Sequence, residues 1–431
     1  MNLTRFSLFF PEKRQFFQKR SSIFAFNTGG PARLFYTRRI GLTNSGEPKR
    51  ILGGARLTGR VGSWDIGLLN MQTGEAGNDP SENFGVVRLR KTVFNQYSYA
   101  GLMGVSRVNT DGKYNFGFGT DGTIRLATDD FFTWVFAQTL EEESLNESLF
   151  DKSRIRLGWF RRTREGFSWE TTFSRTGRSY NPAAGFNTRQ NYYFLGQSFK
   201  YGWLSKGSSS LIWSSFRVSG SFFRSLTTNL IETGRVGPTW EAATKLGHIL
   251  YGALTWRYED IPQEFPLLGR TVIDAGRYKF IHAVARYRMA SSRLLRTQLE
   301  VDFGTFYDGW RLTLDVSPSW NISRHLEMQL SWLYNVIDVP RSDGWFDEHV
   351  AQLKLNTALN THLSTNAFIQ VNTAGHLIST NIRFRYNFRD GNDLWIVLNE
   401  GRNIQLQSFD PFLPRTASRT VLLKYTHTFQ L

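Results

Sequence analysis

The feature that most constrains this chain is a period of two, carried by runs of about ten residues. Leu295, Thr297, Leu299, Val301 and Phe303 alternate with Arg296, Gln298, Glu300, Asp302 and Gly304. Trp310, Leu312, Leu314 and Val316 alternate with Arg311, Thr313, Asp315 and Ser317, and Ile378 to Tyr386 repeat the pattern against Ser379, Asn381, Arg383 and Arg385. Successive side chains of a strand point to opposite faces, so each run has one apolar and one polar or charged face. A sandwich also alternates, but its strands average about five or six residues. Runs of about ten residues cross a hydrocarbon layer when tilted. Aromatic residues near the ends of the apolar faces, as at Trp332, Tyr334, Tyr386 and Phe388, suit a membrane interface. The expected fold is all-β, a transmembrane antiparallel β-barrel.

Turn signals set the number of strands. Tight ones fall at Val61-Gly62-Ser63, Phe94-Asn95-Gln96, Arg164-Glu165-Gly166, Lys245-Leu246-Gly247, Ala290-Ser291-Ser292, Asn321-Ile322-Ser323, Asn360-Thr361-His362 and Arg389-Asp390-Gly391, with looser ones near Asp129 and Lys206. Between them lie segments that are often longer and more polar: 74–83, 141–150, 178–187, 260–273, 338–346 and 401–416. Short periplasmic turns opposite longer extracellular loops are the outer-membrane pattern, and the spacing predicts about 22 strands, in a range of roughly 18 to 24. Val421, Leu423, Tyr425, Phe429 and Leu431 give the last strand an apolar face, which suits recognition by barrel-assembly machinery. His427 falls on that face, in the expected interfacial girdle.

Composition bears on location and partners. A mean hydropathy of −0.35 is what a barrel gives, because polar lumen residues cancel apolar lipid-facing ones. No stretch reaches the roughly 18 apolar residues of a membrane helix. Met1 to Phe6 does not read as an export signal, so the expectation is the C-terminal part of a longer precursor or an internal start. With no cysteine, disulfides, thiolate metal sites and cysteine nucleophiles are excluded. The net charge of +16 comes from Lys and Arg placed singly within strands, as at Arg154 and Arg156, not in runs. That favours a basic lumen or a rim facing lipopolysaccharide over nucleic acid.

One block is more than generic barrel. Phe9-Phe10-Pro11-Glu12-Lys13-Arg14-Gln15-Phe16-Phe17 is followed by Ile23-Phe24, by Leu34 to Gly41, by Ile51 to Gly59 and by Gly67 to Thr73. With Val86 to Lys91 and Gly185 to Tyr192, this resembles the C-terminal outer-membrane β-barrel domain of an uncharacterised family of large Bacteroidota-type exported proteins. Members typically carry an N-terminal domain like carbohydrate-binding-module family 9. The likeness covers residues near 3 to at least 195; it departs at Gln15, where Pro is usual, and at Gln18-Lys19-Arg20, where an apolar-acidic-Gly step is usual. It implies an outer-membrane location and, loosely, glycan-related work, with an oligosaccharide as the solute.

The domain reading is a lead-in or lumen segment over 1–30 and a barrel over 31–431. Arg5, Glu12, Lys13, Arg14, Lys19 and Arg20 stand among seven Phe in the first part. They suit either a segment folded into the lumen or a periplasmic lead-in. Glu12 with Arg14, and the pair Arg38-Arg39, read as salt-bridge anchors rather than catalysts. Arg296, Glu300, Asp302 and Arg311, with Arg383 and Arg385, read as a lumen charge ladder, which in pores sets ion preference. Seven scattered histidines give no metal-ligand spacing on one strand. Asp347-Glu348-His349 and Glu141-Glu142-Glu143 are candidate cation sites beside the plainer reading of solvated loops. No catalytic residue, metal or cofactor is nominated. Three functions stay open: a channel or gated porin-like transporter, an outer-membrane anchor or scaffold, and a membrane-embedded hydrolase.

Overall fold

The computed structural model describes residues 7–26, 32–339, 344–406 and 412–428. Arg5, the end of the 1–30 segment, Phe429, Leu431 and the middles of the 338–346 and 401–416 loops lie outside these. Alternation dictates the architecture: 21 of the 23 strands among the described residues form one antiparallel sheet in which consecutive strands pair. The chain divides into two compact units. One comprises Thr4–Tyr201 with Val218–Arg235, the other Gly202–Arg217 with Val236–Leu431.

In the first unit β1 (Ile51–Val61), β2 (Trp64–Thr73), β3 (Glu82–Thr92) and β4 (Tyr99–Asn109) form a meander. It continues through β5 (Tyr114–Arg125), β6 (Asp130–Glu141), β7 (Ser153–Arg161) and β8 (Gly166–Thr176). β9 (Tyr192–Leu204), β10 (Leu211–Ser225) and β11 (Ile231–Thr244) contribute residues to both units.

The second unit runs from β12 (Ile249–Ile261), through a small hairpin of β13 (Phe265–Leu267) and β14 (Thr271–Ile273), to β15 (Gly276–Arg288). β12 pairs directly with β15, so the hairpin is set apart from the large sheet. β16 (Leu295–Phe306), β17 (Gly309–Ser323), β18 (Leu326–Asp338) and β19 (Phe346–Ala358) follow, then β20 (Leu363–Asn372), β21 (Leu377–Arg389), β22 (Asn392–Asn403) and β23 (Thr416–His427).

The strand number falls one below the expected 22, within its range, and the difference lies at the start. Between Ala32 and Arg50 the chain forms a 3-10 turn (Thr37–Arg39) and isolated bridges, not a strand of the sheet. Pro48, and Gly41 and Gly46 with φ of 81° and 90°, interrupt any ladder there. The residues before it add one helical turn, Gln15–Gln18, and a 3-10 turn, Ser21–Phe24. Among the described residues no helix is long and apolar enough to cross a membrane.

Candidate functional site

Register sorts the side chains of each unit into an apolar and a charged face, and their burial is opposite to that of a protein folded in water. On β4 Leu102 is 60% exposed, and on β23 Leu423 is 74% exposed. Leu57, Val87, Phe116, Phe118, Trp159 and Phe173 are likewise exposed in the first unit, as are Leu299, Val301, Phe303 and Ile396 in the second. On the other face, ionised groups are buried. Arg88 of β3 and Asp121 of β5 form a two-pronged ion pair at 2.6 and 3.0 Å, both side chains fully buried. They meet across Gly101 of β4, where a Cβ would stand 2.6 Å from Arg88 Nη1 and 2.8 Å from Asp121 Oδ1. The Tyr99 hydroxyl donates to Asp121 Oδ2 at 3.0 Å.

The N-terminal segment covers this charged face. Arg88 donates to the Ala25 carbonyl at 3.1 Å and, more weakly, to that of Ile23 at 3.4 Å. Arg56 of β1 donates to the carbonyls of Phe16 and Lys19. Small residues make room: a Cβ on Gly67 would lie 2.9 Å from Ile23 and 3.0 Å from Phe24, and one on Gly117 would lie 2.9 Å from Leu34. Phe17, Phe24, Phe26, Leu34, Phe35 and Ile40 then form one buried cluster with Leu69, Met71, Phe84, Val86, Met103, Val105, Val135 and Ala137 of the sheet. The described part of 1–30 therefore lies on the charged face.

Glu12 and Arg14 pair as expected, at 2.8 Å, and Arg14 also donates to the carbonyls of Ile40 (2.8 Å) and Thr37 (2.7 Å). Burial pushes the Glu12 carboxyl up, but hydrogen bonds from the side chain and backbone of Arg14 outweigh it and hold the carboxyl down at about 2. Lys13 is exposed, and its side chain has no partner among the described residues. Arg38 and Arg39 bind carbonyls instead of carboxylates: Arg38 reaches Pro11 at 3.4 Å and lies over Phe10, and Arg39 reaches Gly185 at 3.1 Å. The 178–187 loop folds in to meet them. Arg33 bridges Phe186, Tyr36 N donates to the Ala184 carbonyl at 3.0 Å, and Phe9, Tyr36 and Phe186 pack ring to ring.

In the second unit the proposed ladder shares one face. Asp302 of β16 accepts from Arg311 of β17 at 2.6 Å and faces His282 of β15 at 3.2 Å. Glu300 pairs with Arg286, a partner the sequence had not suggested, and Arg296 pairs with Glu327 of β18 at 2.9 Å. Arg385 pairs with Asp393 of β22 at 2.7 Å, whereas Arg383 is exposed and without an ion pair among the described residues. The hairpin of β13 and β14 lies over the end of this face nearest the longer loops. Leu267 and Ile273 pack with Tyr278, Phe280, Phe306, Tyr307 and Ile337, and Arg270 at its tip pairs with Glu348 of β19 at 3.0 Å.

The candidate cation sites come apart. Asp347, Glu348 and His349 lie in a strand, so Glu348 enters the charged face while His349 stacks on Tyr334 and Trp332 on the apolar one. Glu141 ends β6 and accepts from Asn115 and Asn181, apart from Glu142 and Glu143 in a 3-10 turn. No group of three His, Cys, Asp or Glu side chains among the described residues is placed to hold a metal ion. His427 stacks beside Tyr425 on the apolar face. Sequence reading missed Arg88, Asp121 and Arg270, and took Glu348 for part of a cation site or solvated loop rather than an ion-pair partner; the signal was a charge in the buried phase of a strand, whose partner depends on pairing across two or more strands or on an inserted hairpin. The chain matches no family model and no curated protein.

Proposed function

We propose that this chain works as a gated, porin-like transporter of the bacterial outer membrane. Its apolar face stands against lipid and lipopolysaccharide, its charged face lines a lumen, and the N-terminal segment is the gate. The observation that carries this reading is the seating of residues 7–26 on the charged face, through Arg88, Arg56 and Gly67. Exposed leucines opposite a buried ion pair suit a wall whose outside is hydrocarbon and whose inside is polar. The family resemblance extends the reading to glycan fragments as solute and to insertion by barrel-assembly machinery through β23. No catalytic step is assigned to any residue.

A second reading, an anchor or scaffold with a permanently sealed bore, is favoured by the full burial of Arg88 and Asp121, which fixes the segment firmly. Single-channel recording separates the two. In the variant Gly67→Val the added Cβ meets the segment's Ile23 and Phe24 first, at 2.9 and 3.0 Å, with no strand atom among its nearest neighbours. A transporter gated by the segment opens more often in that variant than in the parent protein. Silence in both, with the sheet folded, supports the scaffold.

A further inference from the structure

We propose that the hairpin of residues 262–275 is a latched lid, with Arg270 and Glu348 as its catch. Its two strands pair only with each other, Phe265 with Ile273 and Leu267 with Thr271, while β12 and β15 close the wall behind it. The hairpin is thus an insertion that the large sheet does not need. Its turn places Leu268 at φ 55° and Gly269 at φ 69°, and two left-handed residues in succession make the tight turn that carries Arg270 to the wall.

The catch is asymmetric. Glu348 is fully buried, accepts from the Thr373 hydroxyl, and has Arg270 as its cationic partner among the described residues. The Arg270 side chain is 44% exposed. The guanidinium already stands half in water, so the cost of opening falls on the carboxylate left behind, which loses the charge that compensates it. Release begins on the lid side. The wall beneath keeps its own partners, since Asp302 is held by Arg311 and faces His282 whether or not the hairpin is seated. The closed state also leaves one cost unmet: the Thr271 hydroxyl is buried with no hydrogen-bond partner among the described residues. A lid held by apolar packing and one ion pair, against the cost of a buried unsatisfied hydroxyl, is poised to lift.

The proposal rests on the charged face lining a lumen, and its test reads the hairpin rather than ion flow. Leu267 and Ile273 belong to the lid itself and are almost fully buried where it packs on the wall. Single cysteines at these positions (L267C, I273C) are introduced into the full chain in lipid vesicles and labelled with a membrane-impermeant maleimide. Labelling is slow in the parent background, rises about tenfold or more with Arg270→Ala, and falls back toward the parent rate with Arg270→Lys. Unchanged labelling with Arg270→Ala at both positions would make the hairpin a fixed plug and overturn the proposal, as would rapid labelling in the parent. A protein that labels as expected yet never conducts keeps the lid and loses the transport reading.

Discussion

Arg88 shows how a single residue ties the wall to the segment it carries. Its guanidinium, fully buried, serves Asp121 on one side and the carbonyls of Ile23 and Ala25 on the other. Removing one partner of a buried pair strands the other charge, so Asp121→Asn is expected to destabilise the protein by about 3–5 kcal/mol. The check is the temperature at which the folded band is lost in heat-modifiability gels. Glu12 gives a pH dependence. Its carboxyl is held down at about 2, so its contribution to docking is fully present above the ordinary value near 4.5 and is lost as pH falls toward 2. Proteolytic release of the segment should stay constant from pH 7 to 5 and rise below about 4. In Glu12→Gln it should already be raised at pH 7 and lack the acid step. Glu12 with Arg14 was legible in the sequence because the two are neighbours along the chain. Arg88 was not, because its partner lies two strands away.

Strands were the most legible elements, and irregular segments the least. The alternation of Leu295 to Phe303 carries over into the structure with Arg296, Glu300 and Asp302 on one face. The 260–273 segment read as a plain loop because Pro266 and three-residue strands leave too little pattern to count. Residues 32–50 were counted with the sheet, yet turns and bridges occupy them. The seating of the N-terminal segment was half legible: the glycine at Gly67 marks a place where something must approach closely, but not what approaches. Face matters at this scale as well. Leu102→Arg on the apolar face of β4 is expected to cost about 2–4 kcal/mol in a bilayer if the position lies near mid-depth. Lys354→Ala on the charged face of β19 should change stability by less than about 0.5 kcal/mol. Urea unfolding in vesicles compares them.

For the molecule as a whole, much of the positive charge is placed within strands, where Arg shares the charged face with the carboxylates it pairs. Cations without acid partners, such as Arg383, leave that face basic. The same alternation leaves leucine, phenylalanine and tryptophan exposed along the opposite face over strands of 9 to 15 residues. Water does not favour such a surface, and hydrocarbon does. The most direct measurement is spin-label accessibility in reconstituted vesicles. Labels replacing Leu102, Phe116 and Ile396 should collide with dissolved oxygen and be shielded from a water-soluble nickel chelate. Labels at Lys354 and Arg383 should show the reverse. Equal access of the nickel chelate to both sets would contradict a lipid-facing apolar wall, and with it the whole reading of this chain.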